Sequence, residues 1–209
     1  MPKFYDKVDV LKKPGWLKIR LHRTPEYAEV QQIVDKHALH TICSSGMCPN
    51  KAECWSRRTA TFMILGTKTG HPLAPDAEEP RRVAESVALM KLRYVVVTSV
   101  TRDDLPDGGA AHWAQTVRAI RTQNPDAVIE LLIPDLDAQP APLDVVVASK
   151  PDIIGHNIET VERLTPVVRS KAKYRTSLET LRYLSAQGVA TKSGLMVGLG
   201  ESDDEVLQT

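Results

Sequence analysis

From Thr59 onward, short apolar runs alternate with stretches whose apolar residues recur every three or four positions, the rhythm of strands followed by helices. The strand candidates are residues 60–65, 94–100, 128–133, 152–156, a weak one near Lys173, and 189–197. Between them, Val83, Val87 and Met90 follow Pro80 at i, i+4, i+7 spacing, and Trp113, Val117 and Ile120 repeat it. Leu178, Leu181 and Leu184 form a third stripe, closed by Gly188 in a helix C-cap position. Ser202 and Glu205 form a capping box that opens one more helix. The proline-rich stretches 71–80 and 139–142 read as loops.

Residues 1–58 break this rhythm, being irregular and polar with one predicted helix. Thr24 would cap it, Pro25 would take the first helical position, and Ile33, Val34 and His37 would share a face. The chain therefore divides into a segment 1–58 and a unit 59–209. Strand–helix alternation predicts an α/β fold, a parallel sheet covered by helices. Right-handed crossovers would wind it into a barrel or an open doubly wound sheet, and the pattern alone fits both.

Charge changes the picture by exclusion. With 27 basic and 26 acidic residues, the balance gives no whole-protein electrostatic case for nucleic acid or an anionic membrane. No apolar run approaches the ~20 residues that span a bilayer. The first residues carry no apolar signal core, so a soluble, cytoplasmic protein is expected.

All three cysteines fall between positions 43 and 54, with four residues between Cys43 and Cys48 and five between Cys48 and Cys54. An odd, clustered set in a non-secreted chain argues for metal or redox use over a disulfide framework. Three thiolates from one irregular segment can hold three corners of an iron–sulphur cubane, and Gly46 and Pro49 suit a tight wrap around it. A Cys₃His zinc site completed by His37 or His40 is a second possibility, and three buried structural thiols a third.

Cys43-Ser-Ser-Gly-Met-Cys48-Pro-Asn-Lys-Ala-Glu-Cys54-Trp, followed by Arg58-Thr-Ala-Thr-Phe-Met-Ile-Leu-Gly66, closely resembles the auxiliary-cluster segment of lipoyl synthases. The resemblance continues through Arg93-Tyr-Val-Val-Val-Thr-Ser-Val, Arg102-Asp-Asp-Leu-Pro-Asp-Gly-Gly-Ala and Ile133-Pro-Asp. It extends through His156-Asn157-Ile-Glu159-Thr, Tyr174 with Ser177-Leu, and Thr191-Lys-Ser-Gly-Leu-Met-Val-Gly-Leu-Gly-Glu201. It implies a partial (β/α)₆ TIM-type barrel with an irregular N-terminal cluster-binding segment. It also implies two 4Fe–4S clusters and S-adenosylmethionine. One cluster would reduce S-adenosylmethionine to a 5′-deoxyadenosyl radical, which takes hydrogen from carbons 6 and 8 of a protein-bound octanoyl chain. The auxiliary cluster would be consumed as the sulphur source, and Cys43, Cys48 and Cys54 match its three thiolate ligands. The implied partners are an octanoylated lipoyl domain or glycine-cleavage H-type carrier protein, and an electron donor such as ferredoxin or flavodoxin. With the radical made at the cofactor, no catalytic side chain is assigned.

The same resemblance supplies cofactor-binding candidates. Gly194, Gly198 and Glu201 match a strand-end motif beside the adenosine, where glycine lets backbone approach a ligand. The bland alternative is a strand-to-helix turn with a solvated acid. Asn157 and Ser177 match segments that meet the nucleoside or methionine, with helix capping as the alternative. Lys192 is a candidate that could equally snorkel at a strand edge. Thr98 and Ser99 end a strand on the face where (β/α) barrels place their sites. Asp103, Asp104 and Asp107 read first as caps for a helix at Ala110.

Two departures accompany the likeness. In the family a CxxxCxxC loop follows the strand ending at Gly66, and it binds the cluster that holds S-adenosylmethionine. Here Gly66 runs directly into Thr67, so on the order of a dozen residues are missing, a length typical of a functional loop. The family also continues past Thr209 to an Arg-Ser-Ser-Tyr motif carrying the fourth auxiliary ligand. The expectation is that the biological protein is a complete lipoyl synthase. The alternatives are an inactive cluster-binding remnant and a zinc-stabilised binding module.

Overall fold

The computed structural model describes residues 24–36, 41–66, 73–169 and 171–209. Five strands form one parallel sheet in sequence order: β1 (Thr59–Ile64), β2 (Tyr94–Ser99), β3 (Val128–Leu132), β4 (Ile153–Gly155) and β5 (Ala190–Lys192). Sequential order with helical crossovers is the topology of a barrel wall.

Alternation along the strands decides which side is covered. Ala60, Phe62 and Ile64 of β1, Val95 and Val97 of β2, Ile129 and Leu131 of β3, and Ile154 of β4 are all buried. They share one core with three crossover helices, α4 (Glu79–Leu89), α5 (Ala110–Gln123) and α6 (Pro140–Ala148). Val83 and Val87, Trp113, Val117 and Ile120, and Leu143 and Val146 are the buried stripes of these helices. The helices pack in turn, α4 on α5 and α5 on α6. Each fully buried aliphatic side chain contributes about 1.5–3 kcal/mol, so this layer dominates stability.

The N-terminal segment joins the same core. Helix α1 (Pro25–Lys36) begins as the sequence predicts, with the Tyr27 amide donating to Thr24 Oγ1 at 3.3 Å. Its buried Val30 and Val34, together with Cys43 and Trp55, extend the hydrophobic core around β1. His37 and His40 lie outside the described residues.

Several sequence expectations need correction. Lys173 is not in a strand: a single extended residue, it precedes α8 (Tyr174–Ala186). The predicted strand 189–197 shortens to β5, and the chain then passes with Gly194 against the Asn157 side chain. Pairing resumes only at an isolated bridge between Glu159 and Leu195. Residues 139–142 are not all loop, since Pro140 opens α6, where a missing N–H costs no helical bond. On α8 the buried positions are Ser177, Thr180 and Leu184, with Leu178 and Leu181 only half-buried. The Ser177 and Thr180 hydroxyls on that buried face bond to His156 after β4 and to the Asp135 carbonyl after β3. Gly188 does follow α8 with φ +76°, and Ser202 and Glu205 do form the capping box of α9 (Asp203–Gln208).

Candidate functional site

The cysteine segment folds as two short helices joined by a turn, α2 (Ile42–Ser45) and α3 (Lys51–Ser56). Thr41 caps the first, its hydroxyl accepting from the Ser44 amide at 3.3 Å. The Cys48 amide reaches back to the Cys43 carbonyl at 3.3 Å, and Met47 takes a left-handed φ of 46° to allow it. All three thiols are free; Cys43 is buried, and Cys48 and Cys54 are half-buried. The Cys54 thiol is pushed above its ordinary pKa, first by burial and then by the Cys43 and Cys48 thiols beside it. Among the described residues no three His, Cys, Asp or Glu side chains group tightly enough to hold a single metal ion.

A second constellation sits at the carboxyl ends of the strands, as α/β architecture favours. Two adjoining cavities of about 290 and 510 Å³ open there, both walled by Thr101, Asp103, Pro134, Asp135 and Asp137. Such volumes fall in the range of small-molecule sites. Thr98, Ser99 and Asn157, three of the sequence candidates, line the smaller cavity. The Thr98 hydroxyl donates to the Leu132 carbonyl at 3.1 Å, whereas the buried Ser99 hydroxyl has no hydrogen-bond partner among the described residues. An orphaned hydroxyl on a cleft wall fits a ligand that supplies the partner.

Other candidates lie elsewhere. Ser177 is fully buried behind the wall, inside α8, bonded to His156 Nε2 and Arg169 Nη1 at 2.9 Å each, and so is not a helix cap. Asn157 precedes no helix either. The Lys192 ammonium lies 2.8 Å from the buried Glu130 carboxylate, which also accepts from the Tyr94 hydroxyl. Burial, then Glu130, pushes the Tyr94 phenol far above its usual range. Gly194 abuts Asn157. Gly198 and Glu201 form a loop closed on itself, with the Leu199 amide donating to Glu201 at 2.8 Å; backbone amides hold that carboxyl below its ordinary pKa. Of the three aspartates, only Asp107 caps α5, through the Gly109 and Ala111 amides at 2.9 Å. Asp104 instead pairs with buried Arg102, and Asp103 with Lys171.

Sequence reasoning missed His156, Arg169, Lys171, Asp135 and Glu159 as wall residues. The usable signal was positional for His156, Asp135 and Glu159, which lie a few residues past an apolar run. Arg169 and Lys171 come from the segment between α7 (Thr165–Val168) and α8, and no periodicity marks them. The mouth itself is fixed where β1 ends. The Leu65 amide donates to Glu79 at 2.8 Å, the Leu65 carbonyl accepts from Arg102 at 3.1 Å, and His112 braces Glu79 at 2.7 Å.

The larger cavity is bordered by a turn of uncommon geometry. Leu136–Ala138 carry φ of 47°, 52° and 53°, three left-handed residues in a row without glycine. Asp135 holds the turn by accepting from the Asp137 amide at 3.2 Å, and Thr180 donates to the Asp135 carbonyl at 2.8 Å.

Comparison with known proteins fits this geometry. The sequence profile of the Radical SAM superfamily matches residues 46–209. The lipoyl synthase of Bacteroides fragilis (strain YCH46) is 53% identical over 207 aligned positions, covering 94% of this chain and 72% of the relative. The mitochondrial lipoyl synthase of Nematostella vectensis is 50% identical over 208, covering 94% and 72%. The chain belongs to the lipoyl synthase family. Its fold is also shared with the crystal structure of a methylornithine synthase, at a TM-score of 0.54 and 12% identity, over 87% of this chain and 58% of that one. The architecture is therefore the α/β partial barrel that the resemblance implies. No helix among the described residues is long and apolar enough to cross a membrane.

Lipoyl synthases are Radical SAM enzymes, whose chemistry uses a 4Fe–4S cluster and S-adenosylmethionine. The donor set at 43, 48 and 54 fits a cluster. A second cluster does not fit the residues present, since the 209 residues hold no further cysteine. The alignment to the Chlorobium chlorochromatii (strain CaD3) lipoyl synthase agrees. It is 50% identical over 211 positions, covering 95% of this chain and 72% of the relative. That length exceeds the whole chain, so residues of the relative stand there without a counterpart.

Proposed function

We propose that this chain supplies two working parts of a lipoyl synthase. Cys43, Cys48 and Cys54 hold an auxiliary 4Fe–4S cluster, and the cleft beyond β2, β3 and β4 receives S-adenosylmethionine. The reaction inserts two sulphur atoms at carbons 6 and 8 of an octanoyl group carried on a protein lysine. Unactivated methylene C–H bonds resist acid–base chemistry, which is why a radical is needed; the auxiliary cluster supplies the sulphur.

The single observation that carries the cleft's assignment is its charge pattern. Arg169 and Lys171 are the Arg and Lys residues on the smaller cavity's wall, and Lys171 is matched by Asp103 at 3.1 Å, as Arg102 on the larger cavity is by Asp104 at 2.8 Å. Among the described residues Arg169 bonds neutral oxygens, those of Ser177 and Ile158, which leaves its charge suited to an anionic ligand. A methionine carboxylate fits that guanidinium. Asn157, beside Gly194, and the orphaned Ser99 hydroxyl suit the nucleoside. Gly198 and Glu201 shape the loop at the adenosine end, and Lys192 acts through Glu130 as a support.

The carrier is an octanoylated lipoyl domain or H-type protein, and the reductant a ferredoxin or flavodoxin. The compartment is the cytoplasm. The thiols of the S-adenosylmethionine cluster stand between Gly66 and Thr67 in the biological protein. An intact mass equal to 23.1 kDa overturns that placement, and peptide sequencing across Gly66 and Thr67 that finds a cysteine-bearing insert supports it. Anaerobic reconstitution with iron and sulphide tests the auxiliary site. Acid-labile sulphide bound to the protein, and lost in Cys48→Ala, is the expected result. Colourless protein that retains zinc instead would overturn the assignment.

A further inference from the structure

His156 is 3% exposed at the exit of β4, and both of its ring nitrogens are engaged. Nδ1 lies 2.9 Å from the Ile133 carbonyl oxygen, and Nε2 lies 2.9 Å from Ser177 Oγ. A carbonyl oxygen can only accept, so Nδ1 carries the proton. Burial holds the imidazole below its ordinary pKa, aided by Arg169; Asp135 and Glu159, the acids facing it, oppose this but do not outweigh burial. The ring is therefore neutral at pH 7, and Nε2 is a bare acceptor. The Ser177 hydroxyl must then donate to Nε2, which turns its lone pairs the other way. Arg169 Nη1 stands on that side, 2.9 Å from Oγ, with the Ile158 carbonyl as its second anchor at 3.3 Å. Every direction in this relay follows from the carbonyl at its far end.

We propose that His156 is a positioning residue, acting through Ser177 to aim the Arg169 guanidinium into the cleft as the receptor for the carboxylate of an amino-acid-bearing ligand. The inference rests on reading the cleft as the S-adenosylmethionine site. His156 touches no ligand itself. Its contribution is the polarity of one buried hydroxyl. Were Nε2 protonated, Ser177 Oγ would have to accept from the ring and from Arg169 together, and its own proton would no longer be fixed by the ring, so the lone pair facing the guanidinium would lose its set direction.

The test compares binding of S-adenosylmethionine with that of its decarboxylated analogue, which lacks only the carboxylate, on iron- and sulphide-reconstituted protein. Wild type should prefer the intact ligand by about tenfold or more, the scale of one charge-assisted contact. Ser177→Ala, which leaves the helix sterically unchanged, and His156→Leu should abolish that preference without weakening the analogue. His156→Gln, whose amide can still accept from Ser177, should restore it. If Arg169→Gln erases the preference while Ser177→Ala and His156→Leu retain it, the relay is wrong and the cleft assignment stands. Absence of binding by wild type would sink the cleft assignment. The relay is then decided by long-range ¹H–¹⁵N correlation of His156. A neutral Nδ1–H tautomer at pH 7, shifted at Nε2 by Ser177→Ala, supports it; an Nε2–H or charged ring overturns it.

Discussion

The side-chain oxygen of Asn157 stands 2.8 Å from the point a Cβ on Gly194 would occupy. That is closer than real carbon contacts allow, yet the obstacle is the movable end of a side chain rather than backbone. Gly194→Ala should therefore leave the fold nearly as stable as before, while turning Asn157 out of its place on the cleft wall. We expect S-adenosylmethionine affinity to fall about tenfold with little change in Tm, read by calorimetric titration and thermal melting. A large loss of Tm with unchanged affinity would contradict the role of this pair.

Ser99 offers the opposite separation. Its buried hydroxyl lacks a partner among the described residues, and an unsatisfied buried group is a standing cost to the fold. Ser99→Ala should hold stability constant or raise it by up to ~1 kcal/mol. Ligand affinity should drop several-fold. Urea unfolding and the same titration check both halves.

Lys192 distinguishes a support from a ligand contact. Its ammonium answers Glu130, a carboxylate that is 5% exposed, although solvent screens the lysine end. Lys192→Met should cost about 1 kcal/mol of stability, because among the described residues Glu130 then keeps the Tyr94 hydroxyl alone as a side-chain partner. Affinity for S-adenosylmethionine should stay within about twofold. A selective affinity loss would instead place the ammonium on the ligand.

The buried imidazole of His156 sets a pH dependence. Its folded pKa lies below the ordinary histidine value, so below about pH 6.5 the unfolded chain binds more protons than the folded one. The stability this neutral ring contributes is complete above that value and is lost as pH falls through the folded pKa. Urea midpoints from pH 8 to pH 5 should decline below about pH 6.5 for wild type and decline less for His156→Gln.

The architecture was legible because burial enforces it. Phe62 and Ile64, Val95 and Val97, and Ile129 and Leu131 alternate as a half-covered strand must, and the stripes on α4 and α5 repeat at helical spacing. What escaped was governed by polar contacts that periodicity does not encode. The α8 stripe reads as Leu178, Leu181 and Leu184, yet only Leu184 of the three is buried, and Ser177 and Thr180 share its face through bonds to His156 and the Asp135 carbonyl. Thr98, Ser99 and Asn157 were recoverable from their place at strand ends. Arg169 was not, since its meaning comes from what surrounds it in space.

The left-handed run Leu136–Ala138 makes the cleft a mould cast before anything fills it. Tied down by Asp135 and Thr180, the turn is braced from both sides, so a ligand arriving there should meet a rim that needs little ordering. Association at that edge should forfeit little entropy, and discrimination there falls to shape, since a rigid rim does not adapt to a poorly fitting guest.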